Sequence, residues 1–98
     1  MTDFEHMHRL PVLTGSKKQI IWGRNIRKDG FEQMDEWLRD MEEGLHGEEN
    51  ELLSYAKDFT EKFFHREMKA AVYIEIEQYG FSRMLRKTIG KQYKKEHP

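Results

Sequence analysis

Five histidines are the only residues in this chain that combine acid–base chemistry near neutral pH with metal affinity, because cysteine is absent. His6 and His8 flank Met7 and, on an extended segment, would point to one side, a spacing able to hold a divalent ion. Their place at the N-terminus makes no more than adventitious binding the expectation. Glu61 and His65 stand four residues apart and share a helical face. A metal-binding bundle would need a second such pair, with Glu and His three residues apart on other helices, and none is present. Glu75 and Glu77 are two apart, so a helix sends them to different faces. Ser16, Ser54 and Ser82 have no base partner, and Ser16 and Ser82 read as helix caps. The glycines do not fall into a phosphate-cradling loop. The expectation is a non-enzymatic protein with no catalytic residues, no metal and no cofactor.

Charge placement is more informative. Between residues 32 and 51 there are nine carboxylates (Glu32, Asp35, Glu36, Asp40, Glu42, Glu43, Glu48, Glu49 and Glu51) against Arg39 alone. Between residues 83 and 95 there are six cations (Arg83, Arg86, Lys87, Lys91, Lys94 and Lys95) and no acid. Lys17, Lys18, Arg24, Arg27 and Lys28 add a second basic block. Such runs are commonly solvated faces that balance one another across a fold. Two functional readings stand beside that one. Glu32, Asp35, Glu36, Asp40 and Glu43 could offer a host protein a phosphate-like row of carboxylates. Alternatively, Lys17, Lys18, Arg24, Arg27, Arg83, Arg86, Lys87 and Lys91 could contact a nucleic acid, with Tyr93 placed to stack on a base. The net charge of −1 and isoelectric point near 6.5 lack the overall basic footprint of a dedicated nucleic-acid binder.

The elements that must carry these residues are helical. Residues 1–13 read as an extended arm, with Pro11 disfavouring helix at Leu10. Ser16 followed by Gln19 fits a capping box and opens a helix over 16–28, with Ile21, Trp22 and Ile26 on its packed side and Asp29-Gly30 as its stop. Phe31, Met34, Leu38, Met41 and Leu45, widened by Trp37, repeat at helical spacing and define a second helix ending at Gly44 and Gly47. A third stretch opens at Glu49 or Asn50 and packs Leu52, Ala56, Phe59 and Phe63. Met68, Val72, Ile76 and Tyr79 extend a stripe up to Gly80. The alternation of Val72, Ile74 and Ile76 would also suit a strand, but the residues before it favour helix. Whether 50–79 is one helix or two is left open. Ser82 could cap a last helix using Phe81, Leu85 and Ile89, with residues 91–98 as a frayed tail. Tyr73 and Tyr79 are expected at the core edge with their hydroxyls in water.

At 98 residues the chain is one domain that buries roughly 60–65% of its unfolded surface. Charged residues reach 36%, against roughly 25% in an average domain, yet six Phe, four Tyr, two Trp and six Met supply enough apolar surface to fold. A homodimer is compatible with so modest a core. The polar N-terminus is unlike a signal peptide, and the longest apolar run, residues 70–74, is far short of the ~20 residues a membrane helix needs. A cytoplasmic location follows as the expectation. The fold class expected is all-α, a compact bundle of four to five helices with an extended N-terminal arm.

Residues 10–27 carry a resemblance. Leu13, Gly15, Ser16, Lys18, Gln19, Trp22, Ile26 and Arg27 match a run in small uncharacterised bacterial, phage and plasmid proteins. There Leu-x-Gly-Ser is followed by x-Lys-Gln, Trp-Ala and Ile-Arg. Gly23 stands where that pattern has alanine, which suggests close packing or a looser helix. Ala70-Ala71-Val72-Tyr73-Ile74 is a loose echo of a second helix in those proteins. The resemblance implies a mobile-element context and transfers no catalytic residue; with the charge layout, it points to a partner in the host.

Overall fold

The structure, a computed structural model, describes residues 3–48 and 50–97, so Glu49 and its contribution to the acidic run lie outside the described residues. Five helices follow in order: α1 (Asp3–Met7), α2 (Lys17–Gly44), α3 (Glu51–Arg66), α4 (Ala70–Glu77) and α5 (Phe81–Glu96). The all-α class holds. No helix is long and apolar enough to cross a membrane among the described residues.

α2 is the spine. Its start is the expected capping box: the Gln19 amide donates to Ser16 Oγ at 3.2 Å, and the Ser16 amide donates to Gln19 Oε1 at 3.0 Å. The expected stop at Asp29-Gly30 does not occur, and the two helices read over 16–28 and 31–45 are one helix of 28 residues. The reason is tertiary. Gly30 is buried in the helix, and any Cβ there would overlap the Phe81 ring at the head of α5. The glycine therefore admits a ring and ends nothing. Gly23 does the same for α4: a Cβ there would stand 2.9 Å from the Ala70 Cβ. The buried seam of α2 runs through Gly23, Ile26, Arg27, Gly30, Met34 and Leu38. Ile21 and Trp22 lie off that seam and are 56% and 59% exposed, contrary to the packed positions expected for them.

The N-terminal arm is extended only in part, since residues 3–7 form α1. Residues 10–14 are extended and work as a strap that buries Leu10 and Leu13. The strap pairs with the link between α3 and α4: the Thr14 amide donates to the Met68 carbonyl at 2.7 Å, and the Ala70 amide donates to the Thr14 carbonyl at 2.9 Å. This pairing fixes residues 67–69 as extended chain, so 50–79 is two helices. α3 opens on Asn50, whose side chain accepts from the Leu53 amide at 3.0 Å.

The buried seam of α3 is Leu53, Ala56, Thr60 and Phe64, with Phe59 and Phe63 half-buried beside it. The expected stripe keeps Ala56 but is displaced by one position at Leu52, Phe59 and Phe63, because α3 packs against both α2 and α5. α4 buries Ala70 and Tyr73, while Met68 and Tyr79 are exposed. Tyr73 is fully buried, its hydroxyl donating to the Glu67 carbonyl at 3.2 Å, so it is a core residue and not a core-edge one. It belongs to an aromatic centre with Phe63, Phe64 and Phe81, the Tyr73 and Phe81 rings stacking at 5.6 Å. α5 is capped by Gly80 rather than by Ser82, and buries Phe81, Leu85 and Ile89. It stays helical to Glu96, so residues 91–96 of the frayed tail expected over 91–98 are regular helix, while Pro98 lies outside the described residues. Tyr93 stacks on His97 at 4.4 Å and meets Tyr55 edge-on at 5.5 Å, which anchors that end to α3.

Candidate functional site

Because α2 is unbroken, its outer charges form a single surface. Glu32, Glu36, Asp40 and Glu43 are exposed and extend a row begun by Asp29, with steps of three or four residues. Among the described residues, none of the five forms an ion pair. Asp35 behaves differently. It is half-buried, pairs with Arg39 at 3.0 Å and faces the groove between α2 and α3 instead of the outer row. Glu42 is likewise satisfied, by Lys57 of α3 at 3.2 Å. The acidic face expected over Glu32, Asp35, Glu36, Asp40 and Glu43 is thus brought together except for Asp35.

The row has a head that sequence reading placed elsewhere. Trp22, Asp29, Glu36 and Glu43 recur every seven residues, and seven residues fall about 20° short of two full turns. The exposed indole of Trp22 therefore lies in line with the carboxylates, the whole row spanning about 31 Å at 1.5 Å per residue. The spacing was visible, but the break expected at Gly30 separated Trp22 from the acids.

The second basic block comes apart. Arg27 is 1% exposed and cannot touch an external partner, contrary to its expected place on a nucleic-acid surface. It donates through Nη1 to the Pro11 carbonyl at 2.6 Å and holds the strap onto α2. The Glu5 carboxylate, also buried, accepts from Arg24 Nε at 2.6 Å and lies 3.8 Å from Arg27 Nη2. Arg27 Nε and Nη2 have no hydrogen-bond partner among the described residues. Burial lowers the Arg27 pKa from its ordinary value, and the neighbouring Tyr73 and Glu5 oppose that shift. Burial is also the main cause that raises the Tyr73 hydroxyl, with Arg27 pulling it back. Glu5, Arg24, Arg27 and Tyr73 are thus a structural charge cluster that fastens the arm. Lys17 and Lys18 are exposed at the head of α2, while Arg83, Arg86, Lys87 and Lys91 line α5.

The histidine positions resolve into local contacts. His65 sets Nδ1 2.8 Å from the Glu61 carbonyl and Nε2 3.1 Å from the His8 carbonyl, so it ties the arm to α3. The His8 ring packs on Phe4 and Phe31, with centroids 4.8 and 4.4 Å away. These two histidines line a groove of about 410 Å³ between α2 and α3. Thr60, the hydroxyl in that groove, donates back to the Ala56 carbonyl of its own helix at 2.7 Å. No group of three His, Asp or Glu residues is arranged to hold a metal among the described residues. A wider groove of about 550 Å³ lies between α3 and α5, floored by Tyr55, Phe59 and Phe63. No family profile, curated protein or solved structure matches the chain.

Proposed function

We propose that the protein is a non-enzymatic interaction protein of the cytoplasm, working without cofactor, whose outer α2 face binds a basic surface on a host macromolecule. The observation that carries this reading is the unpaired carboxylate row running from the exposed Trp22 to Glu43. Surface charge alone steers association but adds little affinity. An aromatic anchor beside it supplies the desolvated contact on which protein interfaces depend.

The charge order along α2 supports the same reading. Its first turn has Lys17 and Lys18 and no acid, and its last turn has Glu42 and Glu43 and no base. That arrangement opposes the helix macrodipole at both ends. A sequence shaped only for helix stability would reverse it. The partner envisaged is a host protein with a basic groove, in keeping with the resemblance of residues 10–27 to proteins of phage and plasmids.

The test compares proteins captured from a bacterial lysate by the wild type, by Trp22→Ala and by the triple variant Glu36→Lys, Asp40→Lys, Glu43→Lys. The expected result is one partner lost by both variants. Identical captured sets from all three proteins would defeat the reading.

A further inference from the structure

Three glycines lie inside helices and away from their ends, and two are explained by neighbours: Gly23 by Ala70 and Gly30 by Phe81. Gly90, midway along α5, has nothing within 4 Å of where its Cβ would be. Glycine there weakens the helix relative to alanine with no packing reason inside the chain. Around it Arg83, Arg86, Lys87, Lys91 and Lys94 occupy one half of the helix surface, all exposed. None of them pairs with a described carboxylate. The one acid of α5, Glu96, lines the α3–α5 groove. The opposite side of the helix, Phe81, Leu85 and Ile89, is buried in the core.

We infer that this face of α5 binds the phosphate backbone of duplex DNA, with Gly90 as the notch that lets a strand approach the helix closely. Three other occupants fit less well. A lipid surface is bound by helices that insert an apolar face, and α5 has spent its apolar face on the core. A protein partner needs an apolar or aromatic anchor, and none of the large exposed apolar residues is on α5. Single strands are held by aromatic stacking, but Tyr93 is already committed to His97 and Tyr55. What remains is a contact driven by charge and counterion release, independent of base sequence. The binding needs no partner at α2, so its failure would leave the acidic-face reading untouched.

The test is fluorescence anisotropy of a labelled DNA duplex of about 20 base pairs, titrated at about 50 mM salt, where phosphate contacts are strongest. Binding is expected, with a log–log salt slope of about −4 for four to five contacts. Arg86→Glu with Lys91→Glu should weaken it at least about tenfold and flatten the slope by about 2. Gly90→Leu, which alters no charge, should weaken binding several-fold while leaving the helical circular dichroism intact. Lys17→Glu with Lys18→Glu should change nothing. The inference is overturned by absence of binding at low salt, by indifference to the α5 charge changes, by undiminished binding of Gly90→Leu, or by equal affinity for polyglutamate or anionic vesicles.

Discussion

Arg27 shows how far the role of a single residue can lie from what its type suggests. A guanidinium in a basic run reads as a surface contact, yet this one is enclosed by the strap, by Tyr73 and by Glu5. The cue was three-dimensional: Pro11 and Glu5 reach Arg27 only after the arm folds back over α2. Removing one member of a buried charge pair is costly because its partner is left uncompensated. Arg27→Ala should therefore lose about 3 kcal/mol in urea unfolding. Arg27→Met should lose less, since an apolar chain refills the volume that alanine leaves empty, while Arg24 keeps its pair with Glu5 in both variants. Equal losses would mean that the lost charge and the tie to Pro11 decide, and that the refilled volume does not matter. Tyr73 gives a pH test. Its folded pKa is raised, so near pH 10 the unfolded chain releases a proton that the folded protein keeps. Stability present below about pH 10 then declines as pH rises, by at most about 1.4 kcal/mol per pH unit from this one group. Tyr73→Phe should start less stable and show a shallower alkaline decline. A decline as steep as the wild type's would remove Tyr73 as its cause.

At the scale of elements, several local signals carry through to the structure, although the local cap expected at Ser82 does not. Ser16 with Gln19 fixes the start of α2, and the Phe81, Leu85 and Ile89 spacing fixes the buried side of α5. The larger failures are cases in which a distant element decides. Gly30 carries the local signature of a helix end, and only Phe81, far along the chain, makes it a packing contact. The extended turn at residues 67–69 exists because Thr14 pairs there. The acidic row was legible as spacing, but its continuity with Trp22 was not, since that depends on α2 passing through Gly30. The three mid-helix glycines make this testable with one substitution. Gly90→Ala should stabilise by about 0.5–1 kcal/mol, because helix propensity improves and nothing obstructs the methyl group. Gly30→Ala should destabilise by about 1–3 kcal/mol, since the Phe81 ring must leave its place. Gly23→Ala should fall between them, as the Ala70 backbone and side chain yield only by shifting α4. Thermal melts of the three variants check the order, and a stabilised Gly30→Ala would contradict the α2–α5 packing described here.

At the scale of the molecule, the two charged surfaces are borne by different helices of a body about 43 × 28 × 19 Å in extent. The acidic one is held at a cost. Glu32 and Glu36, and Glu36 and Asp40, are like-charged pairs four residues apart, each destabilising by about 0.2–0.5 kcal/mol, and further acids crowd the negative end of the α2 dipole. Replacing Glu36 and Asp40 by lysine removes the Glu32–Glu36 and Asp40–Glu43 repulsions, leaves positions 36 and 40 like-charged, creates attractions to Glu32 and Glu43, and improves the fit to the dipole. The double variant should therefore melt higher than the wild type by a few degrees, given about 4–8 °C per kcal/mol in a domain of this size. On the function proposed for the acidic face, the same variant should also capture less of the partner. Raised stability with lost binding is the pattern expected of a surface maintained for recognition at the expense of the fold. A lower melting temperature would instead mean that the carboxylates stabilise α2, and the row would then belong to the architecture rather than to a partner.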